Sequence, residues 1–194
     1  MADTIIEYDA VLDKFIGDCV MAFWGAPTPH PRHAVACVRA AIAAQRAIYD
    51  FNEQRVLENR NRELENQGRV SAGLPPKQML PLLLLGSGIN TGMATAGFMG
   101  SAAKTRNYTV FGREVNLASR LEGLSGRGRI FISETTHKHL LRDDSELAAT
   151  CILQPPQNVK GIAAALNVYE VPWRRPTDAP ISTDATSTAL ATKS

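Results

Sequence analysis

Two short apolar runs near the start of the chain, residues 11–16 and 20–24, are separated by little more than the dipeptide Gly17-Asp18. This pattern is typical of two antiparallel strands joined by a tight turn, so it predicts a β-hairpin with Asp18 at its tip. Residues 2–9, which precede the hairpin, have the pattern of the last turns of a helix.

An alanine-rich stretch, residues 33–51, follows the hairpin, and Val38 and Ile42 recur in it at helical spacing. It predicts a long helix packed on a sheet. Residues 54–69 are charged and carry few apolar side chains, so they form either a solvated extension of that helix or a flexible connector. Both interpretations place these residues on the surface.

The longest apolar run, residues 79–85, contains Pro81 and is far shorter than the roughly 20 residues that a membrane helix needs. It predicts part of a buried strand over residues 80–89. A turn at residues 90–92 and a second strand over residues 93–99 then predict another antiparallel pair.

A second helix is predicted over residues 113–124, because its leucines and one alanine form a single apolar stripe opposite a polar face. The stripe consists of Leu117, Ala118, Leu121 and Leu124. The pattern around this helix predicts strands at residues 108–111, 129–132, 151–153 and 167–171, and a short helix that Ser133 caps and that ends near Leu141.

These elements alternate irregularly and hairpins dominate, which predicts an α+β fold with helices over an antiparallel or mixed sheet. The chain has 194 residues, of which 44% are hydrophobic, so it is long enough for one domain with appendages. We place this domain at residues 1–175. Residues 176–194 lack an apolar period, and we expect a disordered tail there.

Charge and cysteine content exclude several function classes. The net charge is +2, from 21 basic and 19 acidic residues, which argues against a nucleic acid or an anionic membrane as partner. The predicted strands also lack aromatic residues interleaved with Lys and Arg. The three cysteines are far apart, and the N-terminus has no secretory signal, so we expect free thiols in the cytoplasm.

Asp18 is the first candidate for chemistry. A hairpin tip holds a side chain in a fixed and exposed position, where a carboxylate is suited to bind a hard cation such as Mg²⁺. The alternative is that the aspartate is present because Gly-Asp turns well, and the position alone does not separate the two.

Asn116 and Arg120 are the second candidates, because they lie four residues apart on the polar face of the predicted helix. A rigidly held arginine can stabilise charge on a phosphoryl group during transfer, and an asparagine beside it can orient a ribose. The alternative is an ordinary solvated helix face.

Both candidates lie in motifs that resemble the catalytic domain of class III adenylyl/guanylyl cyclases. The motifs are Lys-Phe-Ile-Gly-Asp at residues 14–18 and Tyr-Thr-Val-Phe-Gly-Arg-Glu-Val-Asn-Leu-Ala-Ser-Arg-Leu-Glu at residues 108–122. Residues 88–92 and 97–101 are similar to the central hairpin of that family, and residues 159–162 are similar to its closing segment. The resemblance covers residues 5–172 and implies a ferredoxin-like sandwich.

The resemblance implies a head-to-tail dimer, a homodimer or a heterodimer with another cyclase chain, that forms cyclic AMP and pyrophosphate from ATP in sites built by both protomers. Asp18 corresponds to one of two aspartates that bind Mg²⁺ or Mn²⁺. Asn116 corresponds to the residue that orients the ribose, Arg120 to the one that stabilises the phosphorus during ring closure, and Lys160 to a contact of the triphosphate.

Lys14 and Thr109 correspond to the pair that binds the purine. An ammonium group can only donate hydrogen bonds, and N1 of adenine accepts one, whereas N1 of guanine carries a hydrogen. Two donors facing each other cost about 1–3 kcal/mol when buried. ATP is therefore the expected substrate rather than GTP.

The chain departs from the family at its start, because the family's first strand, which carries the other metal-binding aspartate, and the helix after it are not recognisable. Asp3 and Asp9 lie at a helix end and a turn and cannot replace that aspartate. We therefore expect an N-terminally truncated domain whose homodimer lacks a complete metal site. The alternative function is a catalytically silent nucleotide-binding or dimerisation partner, or an inactive fragment.

Overall fold

The computed structural model of the chain describes residues 2–100, 106–156 and 166–179. Unit 1 comprises residues 1–45 and 85–173, and unit 2 comprises residues 46–84 and 174–194. The helices are α1 (Ala2–Ile6), α2 (His33–Ser71), α3 (Arg113–Ser125), α4 (Glu134–Asp143) and α5 (Ser145–Thr150). The strands are β1 (Val11–Ile16), β2 (Cys19–Phe23), β3 (Ser87–Ile89), β4 (Thr95–Met99), β5 (Asn107–Phe111), β6 (Ile130–Ser133), β7 (Ile152–Leu153) and β8 (Val168–Glu170).

The first hairpin forms as its sequence predicts. β1 and β2 pair antiparallel, with Ile16 opposite Cys19, so Gly17 and Asp18 are the two loop residues. Gly17 has a φ of 63°, a conformation that favours glycine and that a two-residue hairpin loop requires. The turn therefore fixes Asp18 at the tip.

The main sheet of unit 1 has four strands in the order β3-β6-β8-β7. β3 runs parallel to β6, and the other two pairs are antiparallel. β4 pairs with β5 instead, so the predicted pairing of residues 80–89 with residues 93–99 is wrong. The amide of Asn90 donates to the backbone oxygen of Glu114 (3.0 Å) and to its carboxylate (2.8 Å). These bonds direct the chain after β3 towards the start of α3.

Helix α3 packs closely on β3. A Cβ atom added at Gly88 would lie 2.0 Å from the backbone nitrogen of Glu122, so only glycine fits at this contact. The predicted apolar stripe of α3 is confirmed, because Leu121 is fully buried against Phe131 and Val168, with Leu117 and Leu124 packed around them. Ser133 caps α4, as predicted, by accepting a hydrogen bond from the backbone nitrogen of Thr136.

Residues 54–69 continue helix α2, so they are the helical extension and not the flexible connector. Residues 74–86 form no strand, although a strand was predicted from residue 80. Three asparagines of the helix, seven residues apart, each bond to both the N–H and the C=O of one residue in the extended segment that follows. The pairs are Asn52 with Leu83, Asn59 with Leu80, and Asn66 with Lys77. Side chains therefore satisfy the backbone groups that a neighbouring strand was expected to bind.

The pairing follows from two repeat lengths. Seven residues of α-helix rise about 10.5 Å, and three residues of extended chain rise about 9–10 Å. Asparagines at intervals of seven therefore stay in register with backbone groups at intervals of three. The apolar pattern of residues 80–86 carries no sign of this arrangement, because the asparagines that produce it lie in the helix.

Within the described ranges, only α1 precedes β1. The same ranges contain no helix that is long and apolar enough to cross a membrane. Residues 180–194, most of the predicted disordered tail, lie outside the described residues.

Candidate functional site

Two hairpins of unit 1 bring Lys14 and Thr109 together. Lys14 lies in β1 and Thr109 in β5, and the ammonium group donates a 3.2 Å hydrogen bond to the hydroxyl oxygen. Thr109 is buried, with 4% of its surface exposed, whereas 44% of the Lys14 side chain is exposed. The pair thus combines a buried hydroxyl, that of Thr109, with a solvent-accessible hydrogen-bond donor, the ammonium of Lys14.

A third residue, Asp13, completes this cluster and was not singled out from the sequence. The hydroxyl of Thr109 donates a 2.6 Å hydrogen bond to Oδ2 of Asp13, and Oδ1 lies 3.5 Å from the ammonium of Lys14. The Asp13 side chain is completely buried. A buried charge is costly unless it is paired, and here the carboxylate of Asp13 lies beside the ammonium of Lys14.

The backbone explains why sequence reasoning missed Asp13. Neighbouring residues of a regular strand point to opposite faces, so in a regular strand Asp13 would point away from Lys14. Leu12 pairs with Ala22 and Lys14 with Met21, which leaves Asp13 as the extra residue of a β-bulge. The bulge turns both side chains towards Thr109, and a strand pattern alone carries no signal of it.

Asp18 lies exposed at the tip of the first hairpin. The pKa of the adjacent Cys19 thiol is raised by burial and by the negative charges of Glu122 and Asp18. Glu122 therefore lies close enough to the tip to add its negative charge to that of Asp18 at the Cys19 sulfur. However, the described parts of the chain contain no group of three or more His, Cys, Asp or Glu side chains arranged to hold a metal ion. Asp18 by itself does not fit a two-metal centre.

Asn116 and Arg120 lie one helical turn apart on α3, and neither belongs to the buried cluster around Leu121. Asn116 is exposed and Arg120 is half-buried. Neither side chain makes a hydrogen bond or ion pair with the residues that the structure describes, so both are available to a ligand. Lys160, the expected contact of a triphosphate, lies outside the described residues.

Comparison with known proteins identifies the fold and the family. A family model described as "Adenylate and Guanylate cyclase catalytic domain" matches residues 3–168. The chain belongs to this family. The cyclase domain is also similar to the solved adenylyl cyclase CyaB from P. aeruginosa, with 30% identity and a TM-score of 0.62 over 92% of this chain and 79% of that one. The class III cyclase fold predicted from the sequence is thereby confirmed.

Two curated relatives carry the name adenylate cyclase. The enzyme of Anabaena cylindrica is 29% identical over 173 residues, which is 88% of this chain and 30% of the relative. Adenylate cyclase 1 of Rhizobium meliloti (strain 1021) is 32% identical over 124 residues, which is 64% of this chain and 16% of the relative. The chain thus spans less than a third of either relative, and the family includes both adenylate and guanylate cyclases.

Proposed function

We propose that this cyclase domain acts on ATP and contributes the base-binding and phosphate-binding side chains of an active site formed at a dimer interface. The observation that carries the proposal is the hydrogen bond between Lys14 and Thr109, because the two residues are 95 positions apart and the fold brings them together. The Lys14 ammonium offers donors to N1 of adenine, and the Thr109 oxygen can accept a hydrogen bond from its amino group.

The phosphate side of the proposed site is the polar face of α3. Ring closure joins the 3′-oxygen of the ribose to the α-phosphorus and breaks the bond to the β-phosphate, so that pyrophosphate leaves and the 3′-hydroxyl gives up its proton. Negative charge grows on the phosphoryl oxygens during this step. Arg120 would stabilise that charge, Asn116 would orient the ribose, and Lys160 would contact the triphosphate.

The residues named above do not form a complete metal-binding site. The class III family uses Mg²⁺ or Mn²⁺, and Asp18 is the one residue of the described chain to which the resemblance assigns a metal. This observation favours a second candidate function, in which the domain is a silent partner that lends its side chains to a chain with both metal carboxylates.

The dimer is supported by exposed apolar surface on two hairpins of unit 1. Phe15 is 62% exposed, Phe98 is 72% exposed and Phe111 is 42% exposed. Large apolar side chains exposed on neighbouring elements indicate a protein interface. A homodimer or a heterodimer with another cyclase chain would cover them.

The test is to incubate the purified chain with ATP and Mn²⁺, alone and with a complete class III cyclase chain, and to measure cyclic AMP. We expect product that depends on Arg120 in the mixture, so Arg120→Ala should reduce it. Arg113→Ala is the matched control, because Arg113 is an exposed arginine of the same helix.

The outcomes separate the two candidate functions. Cyclic AMP from the chain alone would contradict the inference that its metal site is incomplete. Cyclic AMP gained only in the mixture would favour the partner function. No Arg120-dependent cyclic AMP in either sample would refute both.

A further inference from the structure

Asp13 has an environment that calls for an explanation. Its carboxylate is completely buried, yet Oδ1 accepts no hydrogen bond from the described residues, and the only hydrogen bond to Oδ2 from those residues comes from Thr109. A buried carboxylate with so few donors is costly. A purely structural residue at a β-bulge could have been apolar without this cost.

The hydrogen bonds at Thr109 can be assigned from the chemistry of the three groups. A carboxylate only accepts, so the 2.6 Å bond uses the hydroxyl hydrogen of Thr109. An ammonium only donates, so the 3.2 Å bond from Lys14 uses one lone pair of the same oxygen. What remains on Thr109 is one lone pair. The hydroxyl can therefore accept one more hydrogen bond but cannot donate one.

This polarity distinguishes the two purines. The 6-position of adenine carries an amino group, which donates, and the 6-position of guanine carries a carbonyl oxygen, which accepts. A threonine hydroxyl that is free to rotate could serve either group. A hydroxyl whose hydrogen is held by Asp13 matches only the amino group.

We propose that Asp13 is a positioning residue that fixes the Thr109 hydroxyl as an acceptor, so that the Lys14–Thr109 pair binds adenine and rejects guanine. The inference rests on the proposed function, because it assumes that this pair contacts a purine. The inference explains the preference for adenine by Asp13, a residue that is not itself one of the two base-binding side chains.

The test compares nucleotide binding by the full 194-residue chain and its Asp13→Asn variant. The measurement is displacement of a fluorescent ATP analogue by ATP and by GTP, which gives the ratio of the two affinities. An asparagine amide can donate to Thr109 and free its hydroxyl hydrogen for guanine. We expect the preference for ATP over GTP to fall by about tenfold, the usual effect of one mismatched hydrogen bond.

Asp9→Asn is the matched control, because Asp9 lies two residues before the same hairpin and its side chain is 79% exposed. It should leave the ratio unchanged. Asp13→Ser is a second variant in case Asp13→Asn does not fold, and its hydroxyl should lower the ratio for the same reason. In a Thr109→Val background, where no hydroxyl is present, Asp13→Asn should have no further effect on the ratio.

A merely structural role would weaken binding of both nucleotides equally and leave the ratio unchanged, and this result would overturn the inference. An equal effect of Asp13→Asn with and without the Thr109 hydroxyl would also overturn it. If the unaltered chain binds neither nucleotide, the proposed function fails first, and the inference fails with it.

Discussion

The side-chain pairing in unit 2 makes a quantitative prediction about Asn59. Its amide nitrogen donates to the backbone oxygen of Leu80 (2.9 Å), and its amide oxygen accepts from the backbone nitrogen of Leu80 (2.7 Å). Asn59→Ala removes both bonds, at about 1 kcal/mol each. Alanine favours the helix by about 0.5 kcal/mol, so the net loss is about 1.5 kcal/mol. The extended segment should therefore open about tenfold more often at Leu80.

Hydrogen–deuterium exchange of the Leu80 amide measures this loss of protection directly, because in the unaltered chain exchange requires the bond to Asn59 to break. Asn61→Ala is the matched control, since Asn61 is exposed on the same helix and gains the same helix propensity. The control should leave the exchange rate of Leu80 unchanged. If the two variants exchange alike, the pairing of asparagines with the extended backbone is not what holds this segment, and the reasoning is refuted.

Three further predictions concern unit 1. Gly88→Ala should lower the free energy of unfolding in urea by at least about 1–3 kcal/mol, because the added Cβ would meet the backbone of α3. Gly97→Ala is the control and should have no such effect, because a Cβ atom at Gly97 would have no neighbour within 4 Å. Equal losses of stability in the two variants would contradict the packing of α3 on β3. Phe98→Glu should shift the chain from dimer towards monomer in analytical ultracentrifugation, because it places a charge on the exposed apolar surface. An unchanged oligomeric state would refute the proposed interface. Burial raises the pKa of the Cys37 thiol from 9.0 to about 12, so the unfolded chain loses this proton at a lower pH than the folded chain. The free energy of unfolding should therefore fall as the pH rises from 9 to 12, and it should fall less steeply in Cys37→Ala.

Local patterns predicted the elements whose structure depends on neighbours in sequence. The Gly17-Asp18 turn follows from loop chemistry, and helix α3 follows from the stripe around Leu121. The matched motifs also assign Lys14 and Thr109 to one site, and the fold brings the two side chains within hydrogen-bonding distance.

The sequence did not reveal features that depend on distant partners. Residues 80–86 are apolar enough for a strand, but the side chains of α2 bind their backbone groups instead. β3 pairs with β6, more than 40 residues away in the sequence, and the residue after β3, Asn90, donates a hydrogen bond to the backbone of α3. Asp13 joins the candidate site through a bulge, which shifts the register by one residue and leaves no mark in the apolar pattern.

The central claim is that this chain supplies the residues that bind the base and the reacting phosphate in a shared cyclase site. The most direct measurement mixes it with a class III cyclase chain that keeps both metal carboxylates but has lost its own transition-state arginine. The account predicts that cyclic AMP forms in the mixture and falls at least about a hundredfold when this chain carries Arg120→Ala. Equal cyclic AMP from the unaltered and the Arg120→Ala chains would contradict it.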